Sequence, residues 1–198
     1  ILPDLVQRFR SEFPAVELHL TNSHSAQVVV WVVEGQADFG LVTLPVLHTA
    51  IESRPLFQRQ DVLVCGPDHP LCAQSAITPE ELVVHPLLLL DKGSVSRVLL
   101  DQALAEAGLL PQMVMEVGSI EVIKRYVEIG LGISIIPRFT AEAEIEAGRL
   151  HAIPVDWLPE RFVGVIQRRE GYLSPAAQTF LDMLDEHVSG CISLWERK

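Results

Sequence analysis

The chain has 198 residues, 48% hydrophobic and 21% charged, enough apolar material for one sizeable core or two small ones sharing a hinge, and no segment has the low hydrophobicity of a disordered tail. Fifteen basic residues against 26 acidic ones leave a net charge of -11, which argues against a nucleic-acid-binding surface, because that affinity rests on clustered Lys and Arg. Leu2-Pro3-Asp4 to Phe13 then reads as a helix, with Pro near the first turn and Leu5, Val6, Phe9 and Phe13 on one side; Pro14 breaks it. Val16, Leu18 and Leu20 alternate with Glu17, His19 and Thr21, the period of a strand. After the polar stretch Thr21 to Ser25, Ala26 to Glu34 is predicted as a helix closed by Gly35, although the run Val28 to Val33 favours a strand by propensity. Phe39 to Val42 is a second strand. Helix, strand, helix, strand implies a parallel sheet with crossover helices. Strands near Pro55 to Phe57 and Val62 to Cys65 complete a first unit, and Gly66 to Pro70 is a turn-rich break.

A second unit repeats the logic. Thr78-Pro79-Glu80-Glu81 is a capping box opening a short helix. Leu87 to Leu90 is a strand, Asp91 to Ser96 a polar loop, and Val98 to Ala107 a helix stopped by Gly108. Met113 to Val117 is a strand, and Ser119 caps a helix that runs to Ile129 with Ile120, Ile123, Tyr126 and Val127 at helical spacing. Gly130 supplies a left-handed stop, and the strand Ile133 to Ile136 ends at Pro137. An acidic helix from Thr140 to Ala147, a short strand Leu150 to Ile153, a strand Phe162 to Gln167 and a helix from Ser174-Pro175 to about Val188 follow. The expected organisation is an α/β chain in which a discontinuous unit, residues 1–73 and 164–198, wraps a continuous one, residues 74–163, with crossovers near Leu71 to Ser75 and Phe162 to Ile166 acting as a hinge.

The run Gly118 to Pro137, GSIEVIKRYVEIGLGISIIP, resembles the corresponding block of the effector-binding domain of LysR-type transcriptional regulators. Leu2-Pro3 through Phe9, Phe13-Pro14, Glu34 to Val42, His69-Pro70-Leu71 and Ser174 to Leu184 resemble further family segments in the same order. The resemblance implies two Rossmann-like subdomains with a ligand cleft between them, the periplasmic-binding-protein-like (type 2) fold. It also implies a cytoplasmic regulator that forms homodimers and homotetramers. Such regulators carry a winged helix-turn-helix and a linker helix ahead of this domain, so DNA contact is expected only through an N-terminal part that this chain lacks.

Ligands of open α/β sheets sit beyond the carboxyl ends of strands, near helix starts whose free N–H groups favour anions and polar acceptors. Asn22, Ser23 and Ser25, Ser94 and Ser96, and Gly118 with Ser119 occupy three such starts, and Thr43 follows the Phe39 strand. Singly, each serine reads first as an ordinary N-cap; their convergence on one cleft makes them ligand candidates. Ser25 and Ser94 match the family's ligand positions best, Ser119 next and Thr43 less well. His24, Lys92 and Arg97 are candidates to balance a ligand's negative charge, against the plain readings of an exposed loop histidine, a solvated lysine and a solvent-facing arginine. The expected partner is a small organic or inorganic effector, polar or anionic.

Catalysis has no foothold. There is no nucleophile elbow, phosphate-binding glycine loop, dinucleotide fingerprint or His-Glu-x-x-His pair, and the seven histidines have no metal-ligand spacing. No cofactor and no metal is therefore expected. Three cysteines without a Cys-x-x-Cys pair suit reduced thiols, and a redox role for Cys65 and Cys72 stands behind a structural one. The longest apolar stretch, Val83 to Leu90, is broken by His85-Pro86 and falls short of the roughly 20 residues of a membrane span. No export leader opens the chain. Two rivals remain: an exported solute-binding receptor of similar fold, and a small enzyme working in the cleft.

Overall fold

The computed structural model describes residues 2–195, side chains of Val114 and of 191–195 excepted, so the reading of Cys191 as a reduced thiol falls outside the described residues. The chain divides into two compact units, Ile1–Gln58 with Arg161–Lys198, and Arg59–Glu160. The discontinuous unit contains α1 (Leu2–Glu12), α2 (Ser25–Val33), β1 (Phe39–Leu44), β2 (Ile51–Arg59, whose last residue counts with the second unit), β8 (Arg161–Arg168) and α7 (Pro175–Trp195). The continuous unit contains β3 (Asp61–Cys65), α3 (Pro79–Val83), β4 (Leu87–Leu90), α4 (Val95–Glu106), β5 (Met113–Val117), α5 (Ile120–Glu128), β6 (Ser134–Pro137), α6 (Glu142–Glu146) and β7 (His151–Pro154).

In the discontinuous unit the strand order is β1-β8-β2. β1 runs antiparallel to β8, with Phe39 opposite Gln167 and Leu44 opposite Phe162. The expected strand Val16 to Leu20 is absent: this stretch has no ladder, and Leu20 is 62% exposed, so its alternation has no buried face to serve. Without it no parallel crossover forms around α2, which corrects the parallel sheet expected for the first forty residues. α2 is helical despite its valines. Val32 is buried against Val42, Ile51 and Ile166 with Val28, Val29 and Val33 packed alongside, and Gly35 at φ +74° lets the Gln36 N–H reach the Trp31 carbonyl in a Schellman-type stop. α7 buries Ala177, Phe180, Leu181, Leu184 and Val188, a helical stripe on which Phe9 of α1 packs edge-on, ring centroids 5.1 Å apart from Phe180.

In the continuous unit β3 lies between β6 and β7, antiparallel to both. β4 and β5 pair in parallel, and a single parallel bridge from Leu87 to Ile133 joins the two sheets. Both faces are covered. Leu63, Cys65, Leu87, Leu89, Ile133 and Ile135 enter one apolar cluster, while Val62, Val64, Leu88 and Ile136 enter the other. That is why these strands read as unbroken apolar runs. Gly132 is needed for a close approach: a Cβ there would lie 2.5 Å from the Pro86 carbonyl oxygen. The ladders of β3 and β8 also move the expected edges. The boundary placed at 73/74 falls at 58/59, because β3 is paired with β6 and β7, and the one at 163/164 falls at 160/161, because β8 pairs with β1 from Phe162 to Gln167.

Candidate functional site

β4 and β5 leave their shared sheet at the same end, since Leu90 pairs with Val117. After β4 the chain makes an Asx-type turn: the Gly93 N–H donates to Asp91 Oδ1 at 3.0 Å and the Ser94 N–H to the Asp91 carbonyl at 3.0 Å. Ser94 is then the N-cap of α4. After β5, Gly118 leads directly to Ser119, the N-cap of α5. A Cβ at Gly118 would lie 3.0 Å from Asp91 Oδ2, so the two turns abut. Both serines are half-buried, and neither hydroxyl makes the usual side-chain cap bond. Two helix starts thus stand side by side with hydroxyls not spent on capping. The Asp91 carboxylate beside them opposes a bare anion at this spot and suits a ligand that also donates hydrogen bonds.

Two other candidates of this unit have structural work instead. Because α4 begins at Val95, earlier than the expected Val98, Ser96 and Arg97 lie inside the helix and are buried. Ser96 Oγ accepts from Arg59 Nη2 at 2.6 Å, and the same guanidinium holds Asp61 Oδ1 through Nε at 3.1 Å and Nη2 at 2.8 Å. Burial pushes Arg59 down to about 10, so it is still charged at neutral pH and needs that carboxylate. Arg97 donates to both Asp101 oxygens, to Glu116 Oε2 and to the Leu90 carbonyl, each at 2.9 Å. It ties α4 to the ends of β4 and β5. Its reading as a charge partner for a ligand is corrected accordingly. Lys92 is exposed.

In the discontinuous unit the structure brings Ser25 and Thr43 together. Ser25 opens α2, half-buried, and its hydroxyl accepts the Thr43 N–H at 3.3 Å from the end of β1. Asn22, Ser23 and His24 are exposed on the non-ladder segment ahead of α2, with His24 at the N-cap position. Sequence reasoning missed the buried Arg59–Asp61 pair and the buried Lys124, whose Nζ meets Glu121 at 2.9 Å, Glu144 at 3.1 Å and the Thr140 carbonyl at 2.7 Å. Alternating or helical charges carry no signal that separates such pairs from a solvated face. Two concavities beside α1, one lined by Arg10, Pro14, Val16, Glu17 and Leu18, include none of the predicted residues. Among the described residues no group of three or more His, Cys, Asp or Glu could hold a metal ion, and no helix is long and apolar enough to cross a membrane.

The family model described as the LysR substrate binding domain matches residues 1–189. The chain belongs to that family. The HTH-type transcriptional regulator YeiE of Escherichia coli K12 is 34% identical over 187 residues, covering 93% of this chain and 63% of that protein. The HTH-type regulator CysB of Burkholderia cenocepacia is 32% identical over 92% of this chain and 59% of its own length. The chain therefore spans about three fifths of the curated relatives it matches. Among solved structures, the regulatory domain of CcmR from Synechocystis PCC6803, in complex with 2-PG, superposes with a TM-score of 0.85 at 26% identity, covering 94% of this chain and 90% of that one. The cofactor-binding domain of the Cbl regulator gives 0.80 at 27% identity, covering 92% of this chain and 80% of that one. The expected periplasmic-binding-protein-like α/β class holds. Both curated relatives are HTH-type transcriptional regulators.

Proposed function

We propose that this LysR-type domain binds a small polar effector, with Ser94, Gly118 and Ser119 of the continuous unit, Ser25 and Thr43 of the discontinuous unit, and Asn22, Ser23, His24 and Lys92 as its candidate contacts. The observation that carries the reading is the pair of N-cap serines, Ser94 and Ser119, whose hydroxyls make no cap bond at two abutting helix starts. A neighbour above 25% identity, the CcmR regulatory domain, is in complex with 2-PG, which supports a small-molecule site in this family. Occupancy shifts a conformational equilibrium of the domain only insofar as one conformation binds more tightly. In the whole protein that shift would reset the spacing of DNA-binding parts within a homo-oligomer in the cytoplasm, since the curated relatives are HTH-type transcriptional regulators. The part-exposed apolar residues of α2, Val30 and Trp31, are its proposed contact with a second copy.

A thermal-shift screen against small carboxylates, amino-acid derivatives, sulfate, phosphate and 2-PG tests the reading. A binder at 100 times its dissociation constant adds about 2.7 kcal/mol of stability. The proposal requires a hit whose shift is lost on Ser25→Ala and on Ser94→Ala. A hit indifferent to both substitutions overturns the site.

A further inference from the structure

β4 ends at Leu90 and hands the chain directly to Asp91, a half-buried carboxylate standing where two turns meet. One of its oxygens, Oδ1, accepts the Gly93 N–H at 3.0 Å and shapes the turn into α4. The other, Oδ2, faces the turn into α5: a Cβ on residue 118 would lie 3.0 Å from it, so a side chain there would press on the carboxylate. Gly118 therefore lets the carboxylate stand against the backbone that leads to Ser119. Cations of the two helices that start here are engaged with other carboxylates. Arg97 of α4 is held by Asp101 and Glu116, and Lys124 of α5 by Glu121 and Glu144. Lys92, in the first turn, is exposed, where water screens its charge. The helix starts offer N–H dipoles to an acceptor, while the charged group set between them is negative.

Taking Ser94, Gly118 and Ser119 as the effector site proposed above, we infer that Asp91 sets the class of effector: a small acid whose acceptor group meets the two helix starts and whose ammonium or hydroxyl group donates to Asp91. A carboxylate has about four lone-pair positions, so holding the Gly93 N–H leaves capacity for a ligand donor. A bare oxyanion in the same place meets a like charge that the serine hydroxyls and helix N–H groups must outweigh. A ligand with its own donor turns that charge into a charge-assisted hydrogen bond. Asp91 thus discriminates twice, by rejecting simple anions and by binding a donor. The serines alone would not discriminate in this way, since a hydroxyl both donates and accepts.

Four probes titrated into the nitrogen-labelled full chain test this, read from backbone amide shifts at residues 93–95 and 118–120: alanine, lactate, propionate and sulfate. The first three share a carboxylate and a three-carbon frame and differ in carrying an ammonium, a hydroxyl or neither. In the native chain alanine or lactate should move these amides at the lowest concentration, and the leader tells ammonium from hydroxyl. Asp91→Asn keeps an acceptor for the Gly93 N–H, and with it the turn. It should tighten sulfate and propionate by about tenfold or more and weaken the leading donor-bearing acid by a similar factor. Propionate or sulfate binding the native chain here as tightly as alanine and lactate, or a ranking unchanged by Asp91→Asn, overturns the role of Asp91 and leaves the site standing. Sulfate that moves these amides in neither protein also overturns that role, since loss of the carboxylate should open the helix starts to it. Shifts confined in both proteins to amides outside these two stretches overturn the effector site itself.

Discussion

Asp61→Asn is the perturbation whose cost the structure sets most tightly. The Arg59 and Asp61 side chains are 8% and 5% exposed, and the guanidinium reaches Asp61 Oδ1 through two nitrogens at 3.1 and 2.8 Å. Neutralising Asp61 removes the carboxylate that this buried guanidinium, still charged at neutral pH, holds through two nitrogens, while Ser96 Oγ at 2.6 Å remains as a dipole. Breaking one side of a buried ion pair costs about 3–5 kcal/mol, roughly a fifth or more of a typical 5–15 kcal/mol total. With a urea slope of about 2 kcal/mol/M, the midpoint falls by about 1.5–2.5 M. Replacing both partners with apolar side chains of similar volume, Arg59→Met with Asp61→Leu, removes the stranded charge, and the cost should drop to about 1 kcal/mol or less. Urea unfolding of both variants, read by circular dichroism, compares the two losses. A loss below about 1 kcal/mol for Asp61→Asn, or a double variant worse than the single, would refute the reasoning.

Three further substitutions separate site from scaffold. Ser94→Ala and Ser119→Ala should each change stability by no more than about 0.5 kcal/mol, since neither hydroxyl makes a cap bond, whereas Ser96→Ala should cost about 1–3 kcal/mol because it deprives the buried Arg59 of an acceptor; urea unfolding distinguishes them. Gly132→Ala should cost more than Gly130→Ala: the first drives a Cβ to 2.5 Å from the Pro86 carbonyl, an overpacking of about 1–3 kcal/mol, while the second meets open space and carries only about 1 kcal/mol of left-handed strain at φ +77°. Burial, with His85 beside it, holds the His69 imidazole below its usual range. The unfolded chain then binds a proton that the fold resists, so this group's contribution is present above the unfolded value of about 6.5 and is lost as pH falls from there through the folded one. His69→Asn, which keeps an acceptor at the cap, should flatten the acid side of a thermal-stability profile below about pH 6.5; an unchanged profile would contradict the assignment.

What could be read from residues alone was what is local. The capping box at Thr78 and Glu81 forms with both of its bonds, and α5, its glycine stop and β6 follow from caps, period and apolar runs. Val16 to Leu20 failed because alternation states a pattern, not a partner strand, and none pairs with it. The antiparallel returns of β6, β7 and β8 depend on pairing between distant segments, to which no local spacing points. At the candidate site, Ser25 and Thr43 were named from separate elements and prove to share a hydrogen bond. Ser96 and Arg97 were misread because an early helix start turns both inward, and Asp61 beside Val62 looks like the polar end of a strand until its burial with Arg59 is seen.

The most direct test of the central claim is amide hydrogen exchange of the domain with and without its strongest screen hit. If the candidate residues hold the effector, exchange slows around residues 94–97 and 118–121 and around residues 25–27 and 43–44. Unchanged exchange in all four stretches, or protection falling on α1 and α7 instead, would contradict it.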